Sequence, residues 1–100
     1  MGEVRWTLEA AERLREIRDY LAERNPEAAS RIVRELYRLV ESLDRFPERG
    51  YSYRTRTERE VRIVLYGHYR VVYRVEPAGA GAVVVLGIFH GAMDLPRYLP

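Results

Sequence analysis

Apolar residues recur at helical spacing in the first half of the chain and at strand spacing in the second. Ala10, Leu14, Ile17 and Leu21 follow at steps of four, three and four, the spacing of one helical face. Thr7 stands where an N-cap belongs, and Glu9/Arg13 and Arg15/Asp19 are oppositely charged pairs one turn apart on the other face. This helix is expected to stop near Arg24. Asn25-Pro26 restarts it, because Asn caps and Pro fits the first helical position, where its missing N–H is not needed. Ala29, Ile32, Val33, Leu36, Val40 and Leu43 then form a second amphipathic stripe, which Phe46-Pro47 ends. So tight a break between two helices predicts an antiparallel helix hairpin.

Alternation marks the strands. Glu3-Val4-Arg5-Trp6 predicts a short first strand, and residues 48–60 read as a long polar connection. Beyond it Val61, Ile63 and Leu65 point one way while Arg62, Val64 and Tyr66 point the other. In the next strand Val71, Tyr73 and Val75 oppose Arg70, Val72 and Arg74. Matching the apolar faces sets the register, and a two-residue loop would put Leu65 beside Arg70. A three-residue loop, Gly67-His68-Tyr69, is therefore expected, with Tyr66 opposite Arg70, Arg62 opposite Arg74 and Gly67 free to take a positive φ. Pro77-Ala78-Gly79-Ala80-Gly81 reads as the next turn, and Ala82 to Phe89 as an interior strand apolar on both faces. The helix hairpin is expected to cover the Ile63/Val71/Tyr73 face and to leave Arg62, Arg70 and Arg74 on the other. The fold class is α+β, a strand and a two-helix hairpin packed on a mainly antiparallel sheet in the order β-α-α-β-β-β.

One hundred residues, 47% of them hydrophobic, suit a single domain over residues 1–100 with a real core. No cysteine is present, which excludes disulfides, zinc fingers and thiol nucleophiles. Glu3, Arg5 and Glu9 break up any secretory segment, and the longest apolar run falls far short of the ~20 residues of a membrane span. A soluble, cytoplasmic protein with no membrane partner is expected. All 17 basic residues other than histidine are arginine, so no Schiff base and no lysine acid is available. Residues 48–75 carry seven arginines against three acids, while the segments on either side are each net −1. That basic middle is a candidate nucleic-acid footprint.

Several residue types there carry chemistry. Arg62 and Arg70 offer fixed guanidinium donors that would stabilise charge building on phosphorus; ordinary salt bridges on a solvated sheet face, to Glu60 or Glu76, are the plain alternative. His90, at a strand end, suits proton transfer near neutrality, or simply bonds a nearby carbonyl. His68 falls in a turn and reads as exposed. Arg49, Arg54, Arg56 and Arg59, interleaved with Tyr51 and Tyr53, and Arg74 on the hairpin, could contact phosphates and stack on bases; a polar loop partly neutralised by Glu48, Glu58 and Glu60 is equally consistent. No metal-ligand spacing and no phosphate-cradling glycine loop is present, so no cofactor is expected.

Trp6 precedes the first helix, Asn25-Pro26-x-Ala28-Ala29 joins the helices, and Phe46-Pro47-x-x-Gly50 follows them. Then come Val61-Arg62, Tyr69-Arg70-Val71-Val72-Tyr73-Arg74-Val75, and Phe89-His90-Gly91-x-x-Asp94. In this order and spacing the phrases resemble the RelE/ParE family of toxins from bacterial type II toxin–antitoxin systems, across nearly the whole chain. The resemblance implies a growth-arresting toxin held by a cognate antitoxin. RelE-type members cleave ribosome-bound mRNA without a metal; ParE-type members inhibit DNA gyrase and have no catalysis of their own. It implies an active-site role for Arg70 and, as in some of the nucleases, for His90; Arg62, a catalytic candidate on its charge, is left open between that role and a salt bridge. The His90-Gly91-x-x-Asp94 phrase is closer to ParE. The lysines of some RelE-type nucleases are absent, and Met93 stands where many relatives place an arginine. Cleavage of ribosome-bound mRNA is the expected activity, because its chemistry can be assigned to residues that are present; inhibition of DNA gyrase is the alternative, as is a member that only binds its antitoxin.

Overall fold

A computed structural model describes residues 3–76 and 82–99. The order is β1 (Val4–Trp6), α1 (Leu8–Ala22), α2 (Pro26–Glu41), a 3-10 turn (Ser42–Asp44), β2 (Tyr51–Arg54), β3 (Glu60–Tyr66), β4 (Tyr69–Val75), β5 (Val83–His90) and α3 (Leu95–Tyr98). The five strands form one sheet in the order β1-β5-β4-β3-β2, with β1 parallel to β5 and the other pairs antiparallel. The expected α+β class and element order hold, and β2 and α3 are added to them. The expected turn at Pro77–Gly81 lies outside the described residues.

Caps set the helix starts. The Thr7 hydroxyl accepts the Ala10 N–H at 3.1 Å and donates to the Val85 carbonyl at 2.9 Å, so one side chain starts α1 and ties it to β5. Asn25 Oδ1 accepts the Ala28 N–H at 3.1 Å, and Pro26 opens α2. Of the two expected charge pairs on α1, neither forms among the described residues; Arg18 pairs instead with its neighbour Asp19.

The hairpin register differs from expectation. The loop has two residues, Gly67 and His68, with Gly67 at φ +56° and Tyr66 opposite Tyr69. Leu65 then lies beside Arg70, Ile63 beside Val72, Val64 beside Val71 and Arg62 beside Tyr73. The physical reason is that the sheet buries both faces. On the helix side, Val64, Val71, Tyr73, Val83, Val85 and Ile88 pack with Ala10, Leu36, Val40 and Leu43. On the other side, Val61, Ile63, Val72 and Phe89 pack under Leu95 and Leu99 of the C-terminal segment. With apolar residues needed on both faces, matching one apolar face no longer selects the register. Leu65, 60% exposed, is the residue left in water by this arrangement. An irregularity between Val72 and Tyr73, opposite Gly87 and Val85, inserts one extra residue into β5 and keeps Val83, Val85 and Ile88 on the helix side.

Candidate functional site

Arg62 and Arg70 fall on opposite faces of the sheet. Arg62, level with Tyr73 on the helix side, donates from Nη1 to the Gly50 carbonyl at 2.6 Å and to the Glu48 carbonyl at 3.4 Å. Arg70 shares the other face with Val72 and Arg74. Its Nη2 donates to the carbonyls of His90 at 3.3 Å, Gly91 at 3.4 Å and Met93 at 2.5 Å, while its Nε is buried without a partner. Both guanidinium groups are thus engaged by the protein's own backbone. One fastens the loop before β2, the other the turn after β5.

His90 ends β5 opposite Tyr69, so its ring points to the helix side, away from Arg70, whose contact is only with the His90 carbonyl. The ring is exposed. Its Nδ1 accepts the Ala92 N–H at 3.1 Å. Tyr69 meets it edge-on at 5.7 Å between centroids, and His68 lies alongside at 6.1 Å with 26° between the ring planes. The three expected catalytic residues therefore do not converge on one face, and His68, read from sequence as an exposed turn residue, stands beside His90.

These rings form the mouth of a cleft of about 540 Å³ between α1 and the β4–β5 end of the sheet. Ile17, Leu21, Ile32, Ile88 and Met93 line it, and Arg13, Glu16, Tyr20, His68, Tyr69 and His90 bring the polar groups. Burial pushes the Tyr69 hydroxyl above its ordinary pKa, and nearby Tyr20 adds to the shift. Arg13 was legible only as one half of a surface pair. In the structure its guanidinium lies over both aromatic rings of a touching pair, 4.9 Å from the Phe89 centroid and 4.9 Å from the Tyr98 centroid, with Nε buried and unpartnered. It crosses the edge of β5 that the short β1 leaves uncovered, and no sequence spacing signals that.

The expected nucleic-acid contacts lie elsewhere. Tyr51, Tyr53 and Arg54 belong to β2, the far edge of the sheet, separated from β5 by β3 and β4. Tyr51 is exposed, Tyr53 is half-buried against the second core, and Arg54 reaches Glu58 at 3.8 Å. Arg56 and Arg59 are exposed near the β2–β3 turn. Arg49 donates to the Ser42 hydroxyl at 3.3 Å, and Arg74 pairs with Glu76 at 3.0 Å. Among the described residues no group of three or more His, Asp or Glu side chains could hold a metal ion, and no helix is long and apolar enough to cross a membrane.

The fold recurs in solved structures. The chain superposes on a chain of the chromosomal ParDE toxin–antitoxin system of P. aeruginosa with a TM-score of 0.73, covering 90% of this chain and 96% of that one at 24% identity. It superposes on a chain of the RelBE2 toxin–antitoxin complex of Mycobacterium tuberculosis with a TM-score of 0.67, covering 89% and 96% at 24% identity. In sequence it is 37% identical to toxin RelE2 of Caulobacter vibrioides, over 92% of this chain and 98% of that protein. It is 31% identical to the Sinorhizobium fredii protein Y4kP, over 96% and 95%. Residues 4–95 match the family model of the ParE toxin of type II toxin–antitoxin systems. That span runs from β1 to the start of α3 and takes in Arg62, Arg70 and His90, so the chain belongs to the ParE toxin family within the wider RelE/ParE group.

Proposed function

We propose that this toxin arrests growth by metal-free cleavage of ribosome-bound mRNA at the cleft beside His90. The observation that supports this reading is the imidazole of His90, exposed at the mouth of a cleft of about 540 Å³ that also gathers Arg13, Glu16, Tyr20, His68 and Tyr69. Cleavage of RNA through its own 2′-hydroxyl needs no metal. It needs a group to take a proton and donors facing the phosphate, both of which imidazoles and a guanidinium supply. Arg70 serves by holding the 90–93 turn, and Arg62 by holding the loop before β2. The basic β2 edge with Tyr51, Arg54 and Arg56 would carry RNA beyond the cleft.

A second reading, inhibition of DNA gyrase by binding alone, is favoured by the two guanidinium groups already spent on backbone carbonyls and by the match to the ParE model. Purified toxin added to a reconstituted translation reaction and to a gyrase supercoiling assay separates the two. Cut mRNA with unchanged supercoiling is expected, and the reverse would favour gyrase.

In either reading the partner is a cognate antitoxin. Exposed Leu8, Tyr20 and Tyr37 on the helices and the open edge of β2 suit an amphipathic segment that folds on binding.

A further inference from the structure

The chain has two histidines, and folding brings both to one place. They differ in what their ring nitrogens already do. Nδ1 of His90 accepts the Ala92 N–H, and a ring nitrogen that accepts carries no proton. The neutral His90 ring therefore holds its proton on Nε2 and presents a donor to the cleft. It cannot take a proton from a substrate there without giving up the Ala92 bond. The His68 backbone carbonyl accepts the Gly91 N–H at 2.6 Å, but its ring makes no hydrogen bond among the described residues, so a ring nitrogen with a free lone pair is available. Arg13 makes no hydrogen bond or ion pair there either; its charge rests only on two aromatic faces.

Resting on the RNA-cleavage reading above, we propose that His68 is the general base of the cleft, with His90 Nε2–H and the Arg13 guanidinium as donors to the phosphoryl oxygens. The substrate class is a ribonucleotide phosphodiester. His68 takes the 2′-hydroxyl proton, the O2′–P bond forms and the P–O5′ bond breaks. The departing O5′ takes a proton from water, and the proton held on His68 neutralises the hydroxide left behind. The products are a 2′,3′-cyclic phosphate and a 5′-hydroxyl end. Glu16, Tyr20 and Tyr69 are the other titratable groups lining the cleft, and burial raises the pKa of the Tyr69 phenol. The phenol edge against His90 fixes the plane of the donor ring.

The test compares single-turnover mRNA cleavage in a reconstituted translation reaction for four proteins, the unsubstituted toxin and its His68→Ala, His90→Gln and His90→Ala variants. His68→Ala is expected to lose about 10²–10⁴-fold in rate, the usual worth of a positioned proton-transfer group, and to recover part of it when free imidazole is added. His90→Gln, which keeps an N–H donor, is expected to retain measurable cleavage and to be indifferent to imidazole. Circular dichroism of each variant shows that the fold is kept. Full rate in His68→Ala, or imidazole rescue confined to a His90→Ala variant, overturns the assignment while the cleavage reading stands. No cleavage by the unsubstituted toxin overturns the cleavage reading and this assignment with it.

Discussion

The hydroxyl of Tyr73 accepts the N–H of Gly50 at 2.8 Å, across 23 residues of sequence. The same hydroxyl donates to the Pro47 carbonyl at 2.8 Å. The buried phenol thus clamps both ends of the Pro47–Gly50 loop, and a Cβ at Gly50 would lie 2.8 Å from Tyr73 Oη and 2.8 Å from the Ile63 carbonyl. This is why the Phe46-Pro47-x-x-Gly50 phrase and the tyrosine of β4 belong together. Tyr73→Phe leaves a buried donor and an acceptor unpaired and is expected to cost about 1–3 kcal/mol. Gly50→Ala overpacks the same contact and is expected to cost about 1–3 kcal/mol. Urea denaturation measures both, and the double variant should cost less than the two together, since both remove one clamp.

Alkaline pH acts on the same residue. Burial raises the Tyr73 pKa most, against lowering by the Gly50 bond and by Arg62 and Arg49; burial also raises that of Tyr69. A folded-state pKa above the unfolded value of 10.0 gives stability that is complete below pH 10.0 and is lost as pH rises through the folded values. Tyrosinate absorbance should show these two phenols ionising after the exposed ones, with chemical stability falling over the same range. Tyr73→Phe should flatten that fall.

Arg70 is expected to matter first to the shape of the turn it holds. Arg70→Ala frees the carbonyls of His90, Gly91 and Met93 and is expected to cost about 2–3 kcal/mol, the scale of hydrogen bonds to a charged donor. Arg70→Lys should recover only part, because an ammonium lacks the planar fork. Amide exchange of residues 90–94 in each variant measures the effect, and a loss of toxicity is to be read beside it.

Arg13 should anchor the C-terminal segment. Its two ring contacts are each worth about 0.5–2 kcal/mol, so Arg13→Ala is expected to loosen Tyr98 from Phe89, which lie 5.8 Å apart. Faster removal of residues 95–99 by carboxypeptidase, with the helix hairpin unaffected, is the expected outcome.

Much of the fold was legible because local signals agreed with the global one. Thr7 and Asn25-Pro26 mark the helix starts, and the apolar run at Ala82 marks the central strand that becomes β5. The strand Tyr51–Arg54 is hard to read because Tyr-Ser-Tyr-Arg lacks an aliphatic residue and sits in a charged segment, and its pairing with β3 comes from long-range contact. The short α3 did leave a signal, Asp94 followed by Leu95-Pro96, which fits a helix start. Register is not legible in the sequence because Val61, Ile63 and Val72 serve a second core under Leu95 and Leu99, invisible until that segment is placed. For the candidate site, sequence could point to His90 but not to His68 or Arg13. Their meeting depends on a two-residue turn and on the short β1 leaving the end of β5 open.

Action of this ParE-family toxin on RNA at the end of β5 would leave a trace in the cell's transcripts. Mapping of RNA 5′ ends across the transcriptome after induction without antitoxin, in cells carrying the unsubstituted toxin or His68→Ala, tests it most directly. New 5′-hydroxyl ends within translated reading frames, absent with the variant, are expected. Growth arrest with an unaltered set of RNA ends, accompanied by loss of plasmid supercoiling, would contradict it.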